Sequence, residues 1–119
     1  MSKRRVVVTG LGIVSPLGND LDSSWSGIVN GRSGIAPVTH FDAAAMATWI
    51  AGEVKAFDPT LWIPPKDVKK MDAFIHYGVA ASLMAMRDAG LEVNDGNAER
   101  IGALIGSGIG GILGIEEQT

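Results

Sequence analysis

Cysteine is absent from this 119-residue sequence. Its absence excludes disulfides, thiolate metal sites and a cysteine nucleophile within these residues. Histidine is scarce, with only His40 and His76 present. Neither has a ligand-spaced neighbour, so no metal is expected, and nothing calls for a cofactor. No apolar run reaches the roughly 18–20 residues that cross a bilayer. The opening Lys3-Arg4-Arg5 leads straight into valines and lacks the apolar core of a secretory signal. The expected compartment is the cytoplasm, with no membrane partner. Positive charge is also short. A net charge of −3 and a pI near 5.2 argue against general nucleic-acid binding.

What is present is globular in character. Hydrophobic residues make up 46% and charged residues 19%, which is the balance of a folded chain. The length suits one domain with a modest core. Glycine, at 16 residues, is about twice as common as usual, and it clusters at the ends of apolar runs.

The pattern opens with Val6-Val7-Val8-Thr9, a β-branched run of the kind buried on both faces of a parallel sheet. Gly10-Leu11-Gly12 and then Ser15-Pro16-Leu17-Gly18 turn the chain. Asp20 is placed to cap a helix in which Leu21, Trp25, Ile28 and Val29 recur at helical spacing, and Gly31 closes it. Residues 31–37 read as loop and Ile50–Val54 as a short edge strand. The strongest helical pattern runs from Pro65 to Ala89, through Val68, Met71, Ile75, Val79 and Met86, with Gly90 as its stop and Leu91 beyond. Ile101–Ile105 reads as a second buried strand. A glycine-rich turn, Gly106–Gly111, leads from it into the start of a final helix. That helix is too short to stand alone, and two strands are too few for a sheet covered on both faces. The expectation is that residues 1–119 are part of a larger domain.

Three groups of residues invite a functional reading. Gly10-x-Gly12-x-x-Ser15 sits where a dinucleotide fingerprint would sit, between strand and helix. However, the third glycine is a serine, Pro16 and Gly18 delay the helix, and no acid stands about 20 residues on. Packing and turning explain these glycines better. Lys66, Lys69 and Lys70 share one face of the long helix near its start, where cations are unfavourable. The cluster is either a solvated face or a site for an anionic partner. Ile109, alone among glycines, is either a core plug or the wall of a ligand pocket. Ser15, Thr9 and Ser107 are hydroxyls in strand-end turns, but no histidine is placed by sequence to activate them.

Taken together, Arg4 to Gly12, Ser15 to Asn19, Gly31-Arg32-Ser33-Gly34-Ile35, Lys70-Met71-Asp72-Ala73-Phe74-Ile75 and Arg100 to Gly111 resemble the β-ketoacyl-acyl carrier protein synthases, in order and along the whole chain. Ser-Pro-Leu-Gly and Lys-Met-Asp-Ala-Phe are most similar to the type II enzymes. The resemblance implies an α/β, thiolase-like fold of α-β-α-β-α layers. This chain would provide the opening part of its N-terminal half. It also implies an acyltransferase of fatty acid biosynthesis that performs a decarboxylative Claisen condensation with malonyl-acyl carrier protein. The cysteine and two histidines of that chemistry fall beyond Thr119, so no catalytic residue is expected here and His40 and His76 do not fill those roles. What carries over is peripheral. Lys66, Lys69 and Lys70 match a patch for the acidic carrier protein. Ile109, with Gly108 beside it, matches a residue that lines and gates the acyl pocket. The complete enzyme is expected to be a homodimer. Two other readings compete: a non-catalytic chain-length subunit of the same family and, more remotely, a dinucleotide-binding oxidoreductase.

Overall fold

A computed structural model describes residues 2–118. Helix α1 spans Leu21–Val29, α2 Pro65–Val68, α3 Ala73–Asp88 and α4 Ile112–Glu117. A two-stranded antiparallel ribbon pairs β1, Ile35–Pro37, with β2, Ile50–Gly52, placing Ala36 opposite Ala51. Short 3-10 turns lie at Pro59–Leu61 and Ala98–Arg100.

The helix ends follow from local chemistry. The Asp20 carboxylate accepts from the Ser23 backbone N–H at 2.7 Å and caps α1. Past its end, Gly31 takes a φ of +65°; its N–H donates to the Ile28 carbonyl, and the Arg32 N–H donates to the Gly27 carbonyl. Helix α3 ends the same way. Gly90 has a φ of +61°, its N–H reaches the Arg87 carbonyl, and the Leu91 N–H reaches the Met86 carbonyl. Both are Schellman ends, in which a left-handed residue lets two otherwise unpaired carbonyls be satisfied.

Three expectations are corrected. Residues 31–37 are not all loop, because Ile35–Pro37 forms β1. That strand is short and contains Pro37, so its sequence lacks the alternation that marks a strand. The long helix is interrupted: α2 is a single turn, and Lys69 to Asp72 separate it from α3. At Asp72 the backbone is extended, with φ −73° and ψ 159°, so the helical pattern crosses a break that periodicity does not register. Finally, Val6–Thr9 and Ile101–Ile105 form no ladder among the described residues. Val6 is 92% and Leu104 97% exposed. A β-branched run sets an extended backbone, but a strand also needs a hydrogen-bonded neighbour.

The described residues do not close into a sphere. The radius of gyration is 17.7 Å, against about 13.5 Å for a compact chain of this length. Among the described residues the buried apolar side chains are Ala43, Ile63 and Ala80. This much uncovered apolar surface is what an interaction face looks like.

Candidate functional site

The turn Ser15–Gly18 is an anchor. Ser15 and Gly18 exchange two backbone hydrogen bonds, 2.9 and 3.1 Å. Ser24, only 2% exposed, shares a hydrogen bond with Ser15 Oγ at 2.9 Å and lies 3.1 Å from the Gly18 carbonyl. A buried hydroxyl is tolerated because both its neighbours are polar. Lys55 Nζ donates to the carbonyls of Pro16, Gly34 and Glu53 at 3.1–3.3 Å, and Asn19 Nδ2 donates to the Lys55 carbonyl at 2.8 Å. One ammonium thus joins the turn to the β1–β2 ribbon. Sequence reasoning missed Lys55, whose role depends on three carbonyls brought together only by folding.

Gly10 and Gly12 face α3. A Cβ on Gly10 would collide with the Ala85 carbonyl and Ala89 nitrogen, and one on Gly12 with the Ala81 carbonyl and Ala85 nitrogen. These glycines serve close approach to the helix backbone, as the packing reading expected. Across the same stretch of α3 lie Ile105, Gly106 and Ser107. Together with Gly12, Ile13 and Val14 they wall a groove of about 350 Å³ floored by Tyr77, Gly78 and Ala81. The opening turn and the foot of the glycine-rich segment are therefore neighbours.

The lysines occupy a different electrostatic position from the one expected. Lys66 lies in the last turn of α2, Lys69 is its C-cap residue, and Lys70 lies beyond it. Cations are favourable at a helix C-terminus, so Lys69 is well placed at the end of α2, while Lys70 lies between that end and the α3 N-cap at Asp72. All three are exposed. Lys70 Nζ is 3.2 Å from Asp67 Oδ1, a solvent-facing pair of small energetic weight.

Folding brings Lys70 to the glycine-rich segment. Lys70, Asp72, Phe74, Gly111, Gly114 and Ile115 line one groove of about 410 Å³. A Cβ on Gly111 would overlap the Asp72 carboxylate. Gly110 has a φ of +80°, and a Cβ there would sit 3.4 Å from Phe74 Cζ. Asp72 and Phe74 therefore join the lysine end of the site to the turn that carries Gly108 and Ile109. Ile109 itself projects outward, 72% exposed, and a Cβ on Gly108 would meet nothing within 4 Å. Sequence reasoning did not assign roles to Asp72 and Phe74, although both stand in the Lys-Met-Asp-Ala-Phe motif.

The two histidines have structural partners. His40 Nδ1 lies 3.9 Å from Glu53 Oε1. The Thr39 backbone N–H, then the Thr39 hydroxyl, hold the Glu53 carboxyl below its ordinary value. His76 Nε2 is 3.0 Å from the Val68 carbonyl. Among the described residues no helix is long and apolar enough to cross a membrane.

The 3-oxoacyl-[acyl-carrier-protein] synthase 2 of Vibrio cholerae serotype O1 is 55% identical over 116 residues, covering 98% of this chain and 28% of the relative. That of Synechocystis sp. is 50% identical over 118 residues, covering 99% of this chain and 28% of the relative. The chain thus spans little more than a quarter of the length of these curated relatives. A solved structure, the ishigamide ketosynthase/chain length factor, superposes with a TM-score of 0.66 at 39% identity, covering 76% of this chain and 23% of that one. The fold is thus the thiolase-like fold of ketosynthases, seen here in part. The family described as "Beta-ketoacyl synthase, N-terminal domain" matches residues 3–119, so the chain belongs to that family.

Proposed function

We propose that residues 1–119 are the opening portion of a 3-oxoacyl-acyl carrier protein synthase that elongates fatty acyl chains. The observation that carries this reading is identity of 50–55% to synthases of that name over nearly the whole chain. In the complete enzyme a cysteine thiolate takes the acyl group from its carrier and releases the carrier thiol. Malonyl-acyl carrier protein then loses CO2, and its carbanion attacks the acyl thioester, freeing the cysteine. With no cysteine in the sequence, these 119 residues alone do not condense.

Their part in the reaction is recognition. Lys66, Lys69 and Lys70 present an exposed cationic edge suited to the acidic carrier protein. Ile109, on its glycine turn beside Gly108, lines and gates the acyl pocket once the rest of the enzyme covers it. The enzyme works in the cytoplasm as a homodimer. In the complete enzyme, Lys69→Glu with Lys70→Glu weakens binding of acyl carrier protein by about tenfold or more at low salt. The deficit shrinks as salt is added. Unchanged binding at low salt would leave the lysines a solvated face.

A second reading has its own support. The solved structure that the chain superposes on is named a ketosynthase/chain length factor, and a chain-length subunit of the same fold is the alternative. The downstream reading frame separates the two: the enzyme carries a cysteine at a strand end followed by two histidines, and the chain-length subunit lacks the cysteine.

A further inference from the structure

We propose that His76 is a positioning residue for the lysine surface, holding α2 against α3 so that Lys66, Lys69 and Lys70 are presented as one edge. The inference rests on the carrier-protein reading above.

Helix α2 has four residues and no side-chain cap at its start. A single turn does not hold itself in water, so its orientation is imposed from outside. One end is fixed by residues that precede it. Ile63 is buried, and the ring of Trp62 lies 4.7 Å below the Arg87 guanidinium on α3. The other end leads into Lys69 and Lys70 and terminates at the Val68 carbonyl. That oxygen accepts from the Met71 N–H at 3.3 Å, in the link that follows the turn. Its bond from α3 comes from His76 Nε2, at 3.0 Å and half-buried. A carbonyl only accepts, so Nε2 carries the proton. The contact crosses the break at Asp72 and joins the C-terminus of α2 to the first turn of α3.

Lys69 and Lys70 follow Val68 directly. With the His76 bond intact, their backbone is held at a fixed place relative to α3 and to the glycine turn beyond Asp72. Without it, the last carbonyl of α2 keeps only its longer bond from the Met71 N–H, and the lysine end is no longer tied to α3. The carrier then meets the competent arrangement less often, and its apparent affinity falls by that fraction. The ring does not contact the carrier and takes no part in the chemistry.

The test uses the complete enzyme with malonyl-acyl carrier protein as the probe. His76→Leu raises KM for the carrier substrate about three- to tenfold, the worth of one hydrogen bond, and leaves kcat within about twofold. His76→Gln places an amide N–H at the same reach from Cα and restores KM. Unchanged KM in His76→Leu overturns the inference. So does a parallel loss of kcat and thermal stability that His76→Gln fails to rescue, because that marks a general packing role. If Lys69→Glu with Lys70→Glu leaves carrier KM unchanged, the carrier-protein reading itself fails, and the two failures are distinguishable.

Discussion

The Leu11 backbone N–H donates to Asp88 Oδ2 at 2.9 Å across 77 positions of sequence. Asp88 is the last residue of α3, where a negative charge opposes the helix dipole. Judged locally it is misplaced. Its position makes sense only because the glycines at 10 and 12 let the opening segment lie against the helix. Asp88→Ala in the complete enzyme should lower stability by about 1 kcal/mol, the usual net worth of such a bond. Asp88→Asn keeps an acceptor and relieves the dipole clash, so its denaturation midpoint should stay near wild type. Equal midpoints for both variants would show that the bond contributes nothing.

Asp20 gives α1 a pH dependence. The Ser23 backbone N–H first, and the Ser23 hydroxyl second, hold its carboxyl below the ordinary aspartate value. A carboxylate whose folded pKa is depressed stabilises the fold above its unfolded pKa, and that stability is lost as pH falls through the folded value. The cap is therefore complete at neutral pH and fades only in acid, as pH falls through the depressed folded value. Asp20→Ala should cost about 1 kcal/mol at pH 7, and the gap to wild type should narrow at acid pH. Chemical denaturation of both proteins across that range checks the sign.

Ile109 stands on a turn whose Gly110 packs under Phe74. If the turn lines an acyl pocket, Ile109→Phe fills it, and the complete enzyme should stop at shorter acyl chains with little change in carrier binding. Chain-length analysis of the products decides this. An unaltered profile would return Ile109 to a packing role.

Much of the local structure was legible before folding is considered. Asp20 as a cap and Gly31 and Gly90 as stops depend on conformational preferences within five or six residues, and each stands where expected. The break at Asp72 was not legible, because Val68, Met71 and Ile75 keep a helical rhythm across it. The Lys55 clamp was hidden for another reason: its acceptors are backbone carbonyls, which every sequence has in abundance.

The sequence alone determined the capping, the helix stops and the family motifs, because each is a property of neighbouring residues. Only the tertiary structure decided that Lys69 and Lys70 sit beyond a helix C-terminus rather than inside a helix start. It also decided that Lys70 shares a groove with Gly111, and that Val6–Val8 lie exposed and without a ladder partner among the described residues. These depend on where separate segments meet, and a hydrogen-bonded neighbour or a facing charge is supplied by another part of the molecule.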